Sequence, residues 1–94
     1  MAKVNINFMG PWRLFLGVRT IMIEVNSTND ARDYIEANYG PVYREKLKSK
    51  GINKIYSIWD NSNILLNGKN IKRSNDQVLK DGDTLILVSI VAGG

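Results

Sequence analysis

The chain has 94 residues, of which 44% are hydrophobic and 23% charged, and its formal net charge is +4. This composition predicts a single folded domain over residues 1–94, and so mild a charge is typical of a solubilising surface. Because the sequence contains neither cysteine nor histidine, it excludes disulfides, metal sites with Cys or His ligands, and Ser-His-Asp or Cys-His nucleophiles.

The start of the sequence has the pattern of neither a signal peptide nor a membrane-spanning segment. Its basic residues are scattered and do not interleave with aromatic residues in a stripe, as they would in a nucleic-acid site. We therefore expect a cytoplasmic protein that binds neither membranes nor nucleic acid.

Two half-buried strands are predicted in the first part of the chain. Apolar and polar residues alternate over residues 4–9 and again over residues 20–25, a pattern typical of strands with one face on a core. Gly10 and Pro11 interrupt the chain between the two strands, so we expect a loop there.

A main helix is predicted after the second strand. Ser27 is suited to cap it, with the acidic Asp30 near the positive end of the helix dipole. Helical spacing predicts that Ala31, Tyr34 and Ile35 face the core.

A second, shorter helix is predicted to follow, because Gly40 is expected to end the first and Pro41 suits a first helical turn. Its inward side chains would be Val42 and Leu47. The lysines that follow lie near its C-terminal end, where positive charge is favourable.

The remaining sequence predicts an extended stretch, a hairpin and a final strand. Residues 52–60 are apolar and β-branched enough to be extended. Asn67-Gly68 between short apolar runs indicates a type I′ hairpin turn. We expect Val78 and Leu79 to pack into the core from a short turn, and residues 84–91 to form the last strand.

Together these elements predict an α+β fold: a mixed sheet of four or five strands, with the main helix on one face and a short second helix. The last strand differs from the others because both of its faces are apolar. Leu85 and Leu87 would face the helix, which leaves Ile86 and Val88 on the open face as a surface for a partner. The alternative is that the second helix, or the loop at Trp12, folds over them.

The sequence ends with Gly93-Gly94. Two residues without Cβ atoms make a thin and adaptable segment, which can enter a narrow channel in another protein and present a carboxylate there. Adenylation by ATP would turn this unreactive group into an acyl donor. The alternative is a frayed terminus without a role.

These features resemble the β-grasp sulfur carriers, which include the molybdopterin synthase small subunit MoaD and the thiamine sulfur carrier ThiS and share the fold of ubiquitin. The matching features are the Asn-Gly hairpin, Leu79, the DGD turn at residues 81–83 and the terminal VAGG. The opening strand and the long segment after it are similar to those of MoaD. In place of the two prolines usual before the MoaD tail, this chain has Ser89 and Ile90, so its tail should pair further along the sheet or move more freely.

The resemblance implies a carrier rather than an enzyme, without a bound cofactor. A ubiquitin-activating-like adenylyltransferase would use ATP to activate Gly94, and sulfur would convert the terminus to a thiocarboxylate. A protein like the molybdopterin synthase large subunit would receive the sulfur for a molybdenum or tungsten cofactor. The residues predicted to bind partners beside Gly93 and Gly94, in a flexible tail from about residue 90, are Ile86, Val88, Ile90, Val91 and Ala92.

Two alternatives remain open at this point. A protein modifier, similar to the small archaeal modifiers, would use the same activation and be joined through Gly94 to lysines of target proteins. A β-grasp binding module would have no tail chemistry at all, and trimming its glycines would have no effect.

Overall fold

The computed structural model describes residues 1–52, 57–72 and 74–90. Within them, five strands form one mixed sheet in the order β2-β1-β5-β3-β4, with β1 and β5 parallel and the other neighbours antiparallel. This confirms the predicted α+β class, with a main helix and a short one. The elements are β1 (Ala2–Met9), α1 (Pro11–Leu16), β2 (Thr20–Val25), α2 (Thr28–Ser49), β3 (Ser62–Leu66), β4 (Lys69–Asn70) and β5 (Thr84–Ser89).

The core lies between one face of the sheet and α2. Alternate residues of β1, β3 and β5 point to this covered face, as the period of two predicts. Leu85 and Leu87 are fully buried there and pair with residues of both neighbouring strands. The fully or almost fully buried sheet residues include Val4, Ile6, Phe8, Ile64, Leu85 and Leu87.

A short helix, α1, occupies the segment predicted as a loop. Pro11 stands in its first turn, and Gly17 ends it with a φ of 74°, a conformation that glycine adopts without strain. Trp12 is buried against the ring of Tyr43, with the ring centres 4.8 Å apart. Its indole N–H donates to the hydroxyl of Ser62 at 2.8 Å, so α1 closes one end of the core.

The predicted break at Gly40-Pro41 is wrong, because α2 continues through both residues to Ser49. A proline inside a helix costs about 3 kcal/mol relative to alanine. Here the continuous helix also buries Tyr43 and Leu47, and this packing outweighs the local preference for a break.

Two side chains predicted to face the core from this region do not. Tyr34 and Val42 are exposed, and Tyr43 occupies the inward position predicted for Val42. The cap of α2 is confirmed: the hydroxyl of Ser27 accepts a hydrogen bond from the Asp30 amide at 3.3 Å.

The hairpin turn is confirmed by positive φ angles at Asn67 (50°) and Gly68 (90°), as a type I′ turn requires. Leu79 is buried as predicted, but Val78 is 81% exposed. Of the predicted extended stretch, residues 58–61 form a turn instead, and residues 53–56 lie outside the described residues.

This turn is held by one carboxylate of α2. Glu36 accepts hydrogen bonds from the hydroxyl of Ser57 and from the amides of Ile58 and Trp59, at 3.1–3.2 Å. Ile58 is thereby fixed in the core, where it is fully buried. The bonds to Glu36 satisfy amides that a strand would have paired with a neighbouring strand, which explains why an apolar stretch is not extended.

Candidate docking face and tail exit

The open face is the side of the sheet opposite α2, and its apolar residues gather around β5. Ile86 lies between Asn7 of β1 and Leu65 of β3, and Val88 lies between Met9 and Asn63. Residues directly opposite each other on neighbouring strands share a face. The register therefore brings the predicted residues Ile86 and Val88 together with two apolar residues that the prediction did not include, Met9 and Leu65.

Nothing among the described helices folds over this apolar group. The alternative cover, the segment at Trp12, packs on the covered face against Tyr43 and Ser62, and the second predicted helix is part of α2. Ile86 and Val88 are nevertheless half-buried by their neighbours, so the surface is a continuous apolar one rather than two isolated side chains.

The chain leaves the sheet at Ile90, the last described residue. Its side chain is 51% exposed, and its amide donates to the carbonyl of Asn61 at 3.0 Å. A proline at this position would have no amide to donate. Ile90 thus pairs as in the first of the two alternatives predicted for the tail, whereas Val91, Ala92, Gly93 and Gly94 lie outside the described residues.

An open depression lies beside this exit. It is lined by Ile90, Asn63, Asn70, Lys72 and Ser74. The ammonium group of Lys72 donates to the carbonyl of Asp60 at 2.7 Å, which places a positive charge near the start of the tail. A partner that received the tail would meet an apolar surface on one side and amide, hydroxyl and ammonium groups on the other.

The residues that the sequence analysis missed all belong to strands or turns next to β5. Met9 already stands at an outward position of the alternation predicted over residues 4–9, which is a signal in the sequence. Leu65 and Asn63 follow only once the Asn-Gly hairpin is paired with β5, because the register of distant strands decides which residues become neighbours.

Side-chain hydrogen bonds between two turns fix the start of β5. Asn67 donates through its side-chain amide to the Asp83 carboxylate at 2.9 Å, and its side-chain oxygen accepts from the Thr84 amide at 2.9 Å. The bond from Asn67, followed by that from the Lys80 amide, holds the pKa of Asp83 below its ordinary value. The hydrogen bonds of Asn67 with Asp83 and Thr84 fix the register of β5, and hence which of its residues lie on the open face.

Within the described residues, no cluster of three or more acidic side chains could hold a metal ion. The same part of the chain has no helix of sufficient length and hydrophobicity to cross a membrane. The candidate site is accordingly the surface that β5 and its neighbours form on the open face, up to Ile90.

Comparison with known proteins gives a family match over almost the whole chain. The model of the ThiS family matches residues 6–94. A search among curated proteins finds no match.

Solved structures similar to this one include small archaeal modifier protein 1 from Methanosarcina acetivorans, with a TM-score of 0.70, 25% identity, and coverage of 100% of this chain and 98% of that one. A putative molybdopterin converting factor subunit 1 from Pyrococcus furiosus has a TM-score of 0.68 and 26% identity, and the match covers 97% of this chain and 100% of that one. A third similar structure is a chain from the complex of subunits 1 and 2 of the molybdopterin-converting factor from Helicobacter pylori 26695. It has a TM-score of 0.62 and 26% identity, and the match covers 98% of this chain and 99% of that one. The arrangement of strands and helices is therefore the ubiquitin-like β-grasp.

Proposed function

Because the chain belongs to the ThiS family, and is thus a ubiquitin-like protein of the sulfur-carrier or modifier type, we propose that it carries sulfur on its C-terminal glycine. The site of the chemistry is the Gly94 carboxylate, and the protein supplies the tail and the docking face beside it. The catalytic groups belong to partner proteins.

The first step uses ATP in an adenylyltransferase. The Gly94 carboxylate attacks the α-phosphate, a new C–O–P linkage forms, and pyrophosphate leaves. A persulfide of a partner then displaces AMP, and a thiol reduces the remaining S–S bond, which leaves a thiocarboxylate on Gly94. The terminal glycines suit this chemistry because they lack Cβ atoms and fit a narrow active site.

The observation that supports the proposal is the placement of apolar residues on the open face of β5, in a chain whose family match extends to residue 94. Ile86 and Val88 lie on the strand that leads directly into the tail, and Ile90 marks its exit. A partner that encloses the two glycines rests on this surface, and burial of the apolar side chains contributes to binding at about 25 cal/mol per Å² before the cost of association.

For the partner that receives the sulfur, we propose a protein like the large subunit of molybdopterin synthase, and molybdenum or tungsten cofactor synthesis as the pathway. The similarity to the Helicobacter pylori structure, a complex of subunits 1 and 2 of the molybdopterin-converting factor, supports this partner.

A second candidate function is the modification of proteins, with Gly94 joined to a lysine amine of a target. It is favoured by the similarity to small archaeal modifier protein 1 at 25% identity over the full chain. Both functions share the adenylation step and differ in the nucleophile that displaces AMP.

Two experiments test these proposals. Deletion of Gly94 should abolish ATP–pyrophosphate exchange with the cognate adenylyltransferase and leave the melting temperature unchanged, whereas unchanged exchange would refute both functions. The intact mass of the protein from its native host then separates them, because the free acid, the thiocarboxylate and a lysine conjugate differ in mass.

A further inference from the structure

β2 forms one edge of the sheet, and the hydrogen bonds of β1 show which of its backbone groups point outward. The amide of Phe8 donates to the carbonyl of Arg19 at 2.7 Å. In an antiparallel pair such bonded positions recur every second residue, so residues 21, 23 and 25 also turn their backbone groups toward β1. Thr20, Met22 and Glu24 therefore turn three amides and three carbonyls away from the sheet.

This edge lacks the features by which exposed strands usually avoid pairing. The sequence of β2, TIMIEV, contains neither lysine nor proline, and its register with β1 runs without a bulge. Its single charged residue, Glu24, lies directly opposite Lys3. The other edge strand, β4, has only two residues, so β2 offers the longer surface for an added strand.

Met22 is the second unusual feature of this edge. It is 67% exposed, although its neighbours on the open face, Asn5, Thr20 and Glu24, are polar. Two strand spacings, about 10 Å, separate β2 from β5. Asn5 lies between Met22 and β5, so Met22 is separate from the apolar group around β5.

We propose that a second copy of this chain adds to the edge of β2 as an antiparallel strand, about a two-fold axis at Met22. In this register Met22 faces Met22 of the second copy, and Thr20 faces Glu24. All six outward backbone groups of each β2 then find partners, and both methionines leave water. No two like charges lie opposite each other, since Glu24 faces Thr20 of the second copy and Lys3 of β1 in its own chain.

The arrangement joins the two sheets into one of ten strands. Pairing of the five residues 20–24 of each copy buries less than the roughly 1,600 Å² usual for a stable complex, so the dimer is weak and forms at high concentration. The two β5 strands lie away from the new junction, so Ile90, where each chain leaves the sheet, is also away from it. Self-association therefore does not depend on the proposed sulfur chemistry, and the two can be tested separately.

Sedimentation of the purified full chain tests the association. The average mass of the native chain should rise with concentration, and Met22→Lys should weaken association at least about tenfold, because it places like charges opposite each other. Val42→Lys is the matched control, since it adds the same charge at an exposed apolar residue of α2, on the other side of the sheet, and it should leave the self-association unchanged. A native chain that stays monomeric at its highest soluble concentration would overturn the proposal.

Single cysteines test the register, because the chain has no cysteine of its own. Met22→Cys should place two Cα atoms about 5.5 Å apart across the axis, within the range of a disulfide. Glu24→Cys should leave its two thiols about 13 Å apart along the strands. Mild oxidation is therefore expected to cross-link the first variant and not the second. Equal cross-linking of both, or none of Met22→Cys, would count against this register.

Discussion

The two faces of β5 differ in what covers them: one belongs to the core, and the other forms the proposed docking face. Leu85 and Leu87 are fully buried under α2, whereas Ile86 and Val88, the residues between them, are half-buried on the open face. All four side chains are aliphatic and of similar size. The difference lies in what covers them, since the chain supplies a helix for one face and leaves the other to its neighbours in the sheet.

This contrast teaches that apolar character alone does not distinguish core from interface. Position in the register does, because side chains alternate between the faces with a period of two. A continuous apolar strand in a sheet covered on one side is therefore a signal for a partner. Substitutions that act on one face only can test this division.

The largest effect is expected on the covered face. Leu87→Ala should lower the free energy of unfolding by roughly 2–5 kcal/mol, because it removes buried atoms and leaves a cavity between β1, β3 and α2. Val88→Ala, one residue further, is the matched control and should cost much less. Urea unfolding measures both, and equal losses would mean that the two faces of β5 are equally packed.

A polar contact on the covered face should have a smaller effect. Ser62→Ala removes the acceptor of the Trp12 indole N–H, which is buried, and should cost about 1–3 kcal/mol of stability. Asn63→Ala, the exposed neighbour that points to the open face, provides the comparison in a thermal melt. If Ser62→Ala is as mild as Asn63→Ala, another group must satisfy the indole.

On the open face the expected loss is in binding. Val88→Asp should leave the chain folded and weaken binding to the proposed adenylyltransferase and to the proposed sulfur acceptor by about 1 kcal/mol or more. Asn5→Asp adds the same charge to the same face, opposite Thr84 and away from the tail exit, and should bind normally. Titrations and melts of both variants decide the matter: a sharp fall in the melting temperature of Val88→Asp would assign Val88 to the core.

The smallest effect concerns pH and the turn that fixes β5. The pKa of Asp83 is held down in the folded chain, first by the side chain of Asn67, so its carboxylate stabilises the fold above its ordinary unfolded pKa of about 3.9. That contribution should be lost as the pH falls through the lowered value. Asp83→Asn should therefore reduce the difference in melting temperature between neutral and strongly acidic pH, and an unchanged difference would contradict this role.

The sequence was sufficient to predict the strands of the sheet because alternation and the Asn-Gly turn are local signals, but it also predicted an extended stretch where residues 58–61 form a turn. It did not predict the continuous α2, since the preference for a break at Gly40-Pro41 is local, whereas the burial of Tyr43 and Leu47 depends on α1 and the sheet. For the candidate site, Ile86 and Val88 could be identified from β5 alone. Leu65 could not, because its place beside Ile86 depends on the pairing of two distant strands.

The order of the strands also has a consequence for how the chain folds. β5, the last strand along the sequence, lies at the centre of the sheet, between β1 and β3. As the chain is synthesised, the earlier strands cannot be joined into one sheet before β5 is available, and such long-range pairing is intrinsically slow. The proposed docking face also forms only at that moment, because β5 supplies Ile86 and Val88. An activating partner that needs this face would therefore process finished, folded molecules and pass over nascent or misfolded chains.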